Sequence, residues 1–127
     1  MDEEILQKLK ENSRRSYLSL AKELGVSEGA VRSRVNRLVK EGVIKRFTIE
    51  VQRDYSAVVN IETSSRVPTR NVKSNVGELS EQVFEVTGKA SLVAIIKSNS
   101  LEELNEIIEK IRMIKGVVST ETNTILG

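Results

Sequence analysis

The chain has no cysteine and no histidine. The first absence excludes disulfides, thiolate metal sites and a cysteine nucleophile. The second removes the usual general base and the commonest metal ligand. No nucleophile–base pair or zinc set can be assembled, so no enzyme, metal or cofactor is expected. Tryptophan is also absent and aromatics make up 3% of residues, so the 39% hydrophobic share must build an aliphatic core. No apolar run approaches the roughly 18 residues of a membrane span, and no signal-peptide pattern opens the chain. These absences predict a soluble, cytoplasmic protein without a membrane partner.

What is present is concentrated between Ser16 and Gly42. Tyr17, Leu20, Ala21 and Leu24 recur at i, i+3, i+4 and i+7, the apolar stripe of one helix. Gly25 interrupts it where a residue free to adopt positive φ closes a helix. Ser27 is placed to cap a second helix, which buries Val31, Val35 and Leu38 at i, i+4 and i+7. At 100° per residue, Gly29, Arg32, Ser33, Asn36, Arg37 and Lys40 fall on the opposite face. Two helices joined by a short glycine turn, the second exposing Arg, Ser and Asn, make a helix-turn-helix. Its second helix enters the major groove of double-stranded DNA. Arg and Asn can each bond a base edge in bidentate fashion, while Ser and Lys suit bases or phosphates. An ordinary helical hairpin with a solvated charged face would share this pattern.

Charge is distributed to match. Residues 1–46 hold 11 Lys/Arg against 7 Asp/Glu, whereas residues 47–127 hold 9 against 11. A basic N-terminal third on a mildly acidic body is the footprint of a phosphate-binding module joined to something else.

Taken in order, Asp2, Glu3 and Glu4 favour a helix N-terminus, and Ile5, Leu6 and Leu9 stripe a first helix ending near Asn12. Arg14 and Arg15 lie in the connection to the second helix, which Ser16 can cap. They are either solvated loop residues or phosphate contacts. Beyond Gly42, residues 43–51 alternate through Phe47, Ile49 and Val51 and predict a strand, giving a winged-type motif. The predicted domains are 1–46 for DNA binding, 47–53 as a linking strand, and 54–127 as a second domain. That second domain reads strand (55–63), helix capped by Thr69 (70–79), strand (82–87), strand (91–97), helix capped by Ser100 (101–114), strand (117–126). Tyr55, Ala57, Val59 and Ile61 share one side of the first strand, and Leu101, Leu104, Ile108 and Ile111 face the core. Gly88-Lys89-Ala90 is a short hairpin connection. The order is the ferredoxin-like βαββαβ arrangement, so the chain is α+β. A thin sheet with one uncovered, partly apolar face calls for dimerisation.

The pattern Leu20-Ala21-x-x-Leu24-Gly25-x-Ser27-x-x-x-Val31-x-x-Arg34-Val35, followed by Leu38-x-x-x-Gly42-Val43-Ile44, resembles the leucine-responsive (Lrp/AsnC, "feast or famine") transcription regulators. Asp2-x-x-Ile5-Leu6-x-x-Leu9-x-x-Asn12-x-Arg14-x-Ser16 precedes it. Val86-Thr87-Gly88, the helix after Ser100, and Gly116-Val117-x-x-Thr120-x-Thr122 resemble their effector-sensing domain. The resemblance implies a sequence-specific DNA-binding regulator that dimerises through its C-terminal sheets and assembles further. It implies an amino-acid effector held by Gly88, Lys89, Ala90, Ser91, Thr120 and Thr122. Ser91 stands where members commonly carry an acidic residue. The residues expected at DNA are Arg14, Arg15, Ser16, Ser27, Glu28, Gly29, Arg32, Ser33, Asn36, Arg37 and Lys40. The alternative is an architectural, DNA-compacting protein that uses the same helix mainly for phosphates. The mixed Arg32, Ser33, Asn36 face favours sequence readout, since a packaging surface would be more uniformly Lys/Arg.

Overall fold

A computed structural model describes residues 1–127, which divide into two compact units, Met1–Glu50 and Val51–Gly127. The first unit contains three helices: α1 (Asp2–Glu11), α2 (Tyr17–Leu24) and α3 (Glu28–Lys40). Each begins as its sequence prescribes. Three acidic residues fill the first turn of α1. The Ser16 hydroxyl accepts from the Ser19 amide and the Ser27 hydroxyl from the Ala30 amide, both at 3.1 Å. Gly25 closes α2 at φ 70°, a left-handed conformation that turns the chain within two residues into α3. The three stripes meet in one aliphatic core of Ile5, Leu9, Leu20, Ala21, Val31 and Val35, with Tyr17, Leu24, Val26 and Ile44 packed around it.

One expectation fails here. Residues 43–53, read as a wing strand and linking strand, belong to no helix or strand. Alternation supplies a strand with a face, but a ladder also needs a partner. The Met1–Glu50 unit contains no other strand. Val43, Phe47 and Ile49 are accordingly exposed.

The second unit is built from β1 (Tyr55–Thr63), α4 (Thr69–Gly77), β2 (Gln82–Glu85), β3 (Leu92–Ser98), α5 (Leu101–Arg112) and β4 (Val117–Thr124). Its strands form one sheet in the order β2-β3-β1-β4, every neighbouring pair antiparallel. This is the ferredoxin-like arrangement. Directly paired residues share a face. The pairs Ala57–Ile96, Val59–Ala94 and Ile61–Leu92 therefore point together, into a core closed by Val72 and Val76 of α4 and Leu104, Ile108 and Ile111 of α5. Each of the valines, leucines and isoleucines among them contributes about 1.5–3 kcal/mol on burial. The opposite face, carrying Val58, Asn60, Glu62, Phe84, Val93, Ile95 and Lys97, has neither α4 nor α5 over it.

Local readings needed correction at three places. Pro68, not Thr69, occupies the N-cap of α4, and no side chain caps that helix. Tyr55 and Leu101 are exposed rather than facing the core, because each opens its element where the opposing layer has ended. β4 stops at Thr124, although the Ile125 amide still donates to the Ser56 carbonyl at 2.8 Å.

Candidate nucleic-acid interface and effector cleft

The outward face of α3 is what its helical period dictates. Val31, Val35 and Leu38 are buried, and Glu28, Gly29, Arg32, Ser33, Asn36, Arg37 and Lys40 are all exposed. The side chains are not equally free. Nη2 of Arg32 donates to Glu28 Oε1 at 2.9 Å, and its guanidinium lies 5.1 Å from the ring centroid of Tyr17 on α2. Arg37 turns toward α1, where it and Arg34 each reach the Asp2 carboxylate at 3.3 Å. Arg37 thus sits at the edge of the face, whereas Ser33, Asn36 and Lys40 hold its centre without an ion pair. Ser16 and Ser27 spend their hydroxyl oxygens on helix caps but keep an O–H to donate.

The two arginines of the α1–α2 connection part company. Arg14 makes no ion pair within the chain; only its backbone amide is engaged, donating to Asn12 Oδ1 at 3.1 Å. Arg15 folds back on α2, its Nε donating to Ser19 Oγ at 3.2 Å and its Nη2 to Glu23. Lys8 Nζ reaches the other Glu23 oxygen at 2.7 Å. The hydrogen bond from Lys8, followed by that from Arg15, holds the Glu23 carboxyl below its ordinary range. The same bond raises Lys8 above its ordinary 10.5.

The six candidate effector residues do not converge. An open cleft of about 480 Å³ on the exposed sheet face is lined by Asn60, Glu62, Lys89, Ala90, Ser119, Thr120 and Glu121. It includes Lys89, Ala90 and Thr120 but not Gly88, Ser91 or Thr122. Thr120 pairs with Ile61 and Thr122 with Val59, so both side chains take the helix-covered side, and Thr120 lines the cleft at its edge while its side chain turns away. The Thr120 hydroxyl accepts from Arg112 Nε of α5 at 3.1 Å. Ser91 is tied to the end of β1, its hydroxyl accepting from Thr63 Oγ1 and its amide donating to the Ile61 carbonyl, both at 2.9 Å. Conversely, Asn60 pairs with Glu121 and Glu62 with Ser119. The Ser119 hydroxyl donates to Glu62 at 3.1 Å. No motif in the sequence marks these four residues as site residues. The alternation of β1 and β4 puts them on one face, but only the ladder between strands some 60 residues apart puts them together. A larger cleft of about 980 Å³ lies between α1 and residues 43–50; it contains Arg14 and none of the candidate effector residues.

A three-helix reading head and a ferredoxin-like sheet in this order define a class: a DNA-binding regulator with an appended ligand-binding domain. Residues 1–45 match the winged helix-turn-helix DNA-binding family and residues 56–127 match the Lrp/AsnC ligand binding domain. The chain belongs to the Lrp/AsnC family of HTH-type transcriptional regulators. The HTH-type transcriptional regulator LysM of Saccharolobus solfataricus is 37% identical over 98% of this chain and 91% of its own length. Among solved structures, LrpC of B. subtilis superposes with a TM-score of 0.82 at 28% identity, covering 99% of this chain and 92% of that one. The feast or famine regulatory protein of M. tuberculosis, solved in complex with L-methionine, superposes at 0.84 over 98% of this chain and 89% of that one, at 24% identity.

Proposed function

We propose that this regulator reads specific DNA sites with the outward face of α3 and responds to an amino acid held on the open face of its sheet. The observation that carries the DNA reading is the mixed character of that face. Ser33, Asn36 and Lys40 stand exposed between two arginines, one of them paired with Glu28. Groups that bond base edges in bidentate fashion, such as the Asn amide and the Arg guanidinium, discriminate bases, whereas a compacting surface needs only positive charge. Arg14 supplies phosphate contact from the α1–α2 connection. The assembly is a homodimer joined through the uncovered sheet face, where Val58, Phe84, Val93 and Ile95 present apolar surface, with higher oligomers built from it. The protein is a binding protein without catalytic activity, working in the cytoplasm where its DNA is. No helix is long and apolar enough to cross a membrane.

For the effector, the cleft offers two carboxylates, Glu62 and Glu121, against one ammonium, Lys89. A free amino acid complements that set, its α-ammonium on the glutamates and its α-carboxylate on Lys89. Glu62 thereby offers the carboxylate that Ser91 lacks. That the M. tuberculosis relative takes L-methionine supports an amino acid as the class of ligand. The test is a thermal-shift screen of the twenty amino acids on the full chain, repeated on Glu62→Gln and Thr122→Ala. A response lost in Glu62→Gln and kept in Thr122→Ala is the expected result. A response that survives Glu62→Gln and disappears in Thr122→Ala would move the site to the helix-covered side of β4.

A further inference from the structure

Tyr17 belongs to α2 and lies outside the recognition helix, yet it is the one aromatic ring in contact with a candidate base-reading side chain. The ring is partly buried and packs against the N-terminal core of Ile5, Leu9, Leu20, Ala21, Val31 and Val35, which limits its movement. The Arg32 guanidinium sits over it at 5.1 Å from the centroid, within the range of an attractive cation–π contact. One turn earlier on α3, Glu28 Oε1 accepts a hydrogen bond from Nη2 at 2.9 Å, in the favourable order with the acid N-terminal to the base. Arg32 is therefore held from two directions, by the ring beneath its guanidinium carbon and by a carboxylate bonded to Nη2. Of its five N–H groups, four remain, enough for bidentate contact with the O6 and N7 acceptors of guanine. The side chain is still largely exposed, at 57%, so the two contacts orient it without removing it from the reading face.

We infer that Tyr17 and Glu28 pre-set Arg32 for base recognition, which makes Tyr17 a positioning residue for specificity and Glu28 a device against non-specific binding. A free arginine loses considerable rotamer freedom on docking, and a pre-oriented planar fork loses less. That gain applies only where Arg32 meets a base in the right register. On random DNA, an unrestrained Arg32 swings freely to the nearest phosphate, while a restrained one must give up both contacts to do so. Glu28 adds to the difference because its carboxylate repels phosphates and can accept only from base amino groups such as cytosine N4. The inference rests on the proposal that the outward face of α3 reads DNA.

The test uses the full chain. Target sites are selected from random duplexes, and affinities for a selected and a scrambled duplex are measured for wild type, Arg32→Ala, Tyr17→Leu, Tyr17→Phe, Glu28→Gln and the double variant Tyr17→Leu/Arg32→Ala. Tyr17→Leu should lower the specific-to-random ratio about three- to fivefold, the scale of an exposed cation–π contact. Tyr17→Phe, which keeps the ring, should retain the wild-type ratio. In the Arg32→Ala background, Tyr17→Leu should lower the ratio no further, because its effect runs through Arg32. Glu28→Gln should raise affinity for the scrambled duplex and lower the ratio. A Tyr17→Leu that weakens both duplexes equally, or adds its full loss in the Arg32→Ala background, shows a merely structural role and overturns the inference. Should Tyr17→Leu not fold, the exposed Glu28→Gln decides, and unchanged binding to both duplexes refutes the arrangement. If Arg32→Ala itself leaves the ratio unchanged, the assigned reading face is wrong and the inference falls with it. If Arg32→Ala lowers the ratio but Tyr17→Leu does not, only the positioning role is lost.

Discussion

Gly116 and Gly88 form a matched pair for separating backbone strain from packing. Both adopt positive φ, 99° and 119°, in the same unit of the chain. A side chain at either position carries a backbone cost of order 1–3 kcal/mol. Their surroundings differ completely. A Cβ on Gly88 meets nothing within 4 Å, since the β2–β3 loop projects into solvent. A Cβ on Gly116 falls 2.7 Å from Val72 Cγ2 and 3.0 Å from Val67 Cβ, where β4 begins against α4. Val72 is fully buried and β-branched, so it cannot rotate away without striking the core. Overpacking of this kind costs about 1–3 kcal/mol more. Gly116→Ala should therefore destabilise the C-terminal unit by about 2–6 kcal/mol, against about 1–3 kcal/mol for Gly88→Ala. For a unit of this size each kcal/mol moves the midpoint by about 4–8 °C, so the two variants should melt at least about 4 °C apart. Calorimetry of the full chain measures this, the C-terminal transition being the one that moves. Equal midpoints would mean that α4 gives way freely and that the Gly116 contact does not constrain the fold. The pair also serves function: Gly88→Ala alters the turn beside Lys89 and Ala90 with no steric conflict, whereas Gly116→Ala acts on the core.

The divergence of the two arginines before α2 gives a salt-dependence test. Arg14→Ala should reduce the slope of log affinity against log salt by about 0.9, one phosphate contact, equally for specific and random DNA. Arg15→Ala should leave the slope intact and lower the melting temperature of the N-terminal unit; an equal loss of slope would show that Arg15 leaves Glu23 to reach DNA. The Lys8–Glu23 pair sets a pH window. The Glu23 carboxyl is lowered on folding, so its contribution is full above the usual carboxylate range and is lost as pH falls through the depressed value. The Lys8 ammonium is raised, so its contribution is full below 10.5 and is lost as pH climbs through the elevated value. In a pH series of melts Glu23→Gln should flatten both limbs, and an acid limb parallel to wild type would exclude this pair as its cause.

The elements that the sequence determined by itself are those whose cause is local. Caps at Ser16, Ser27 and Ser100 are read correctly because each hydroxyl bonds an amide three residues on. The stripes Leu20–Ala21 and Val31–Val35–Leu38 follow from the 3.6-residue period, and with them the outward face of α3. The alternation of β1 and β3 and the order of elements were enough for the ferredoxin-like arrangement. Tertiary structure decided whatever depends on a partner distant in the chain. Residues 43–51 have the alternation of a strand and no strand beside them, so they form none. Tyr17 reads as a core residue and also carries Arg32, fifteen positions on. Arg14 and Arg15 are indistinguishable as sequence, and only the approach of Lys8 and Glu23 separates them. The resemblance points to Thr120 and Thr122, whose side chains the β1–β4 register sets on the helix-covered side; the same register brings Asn60, Glu62, Ser119 and Glu121 together on the open face, in a cleft that Thr120 also lines. Helical and strand periods are encoded within a few residues. Register between strands is fixed only when the whole sheet closes on its core, and that register chose which polar side chains share the open face.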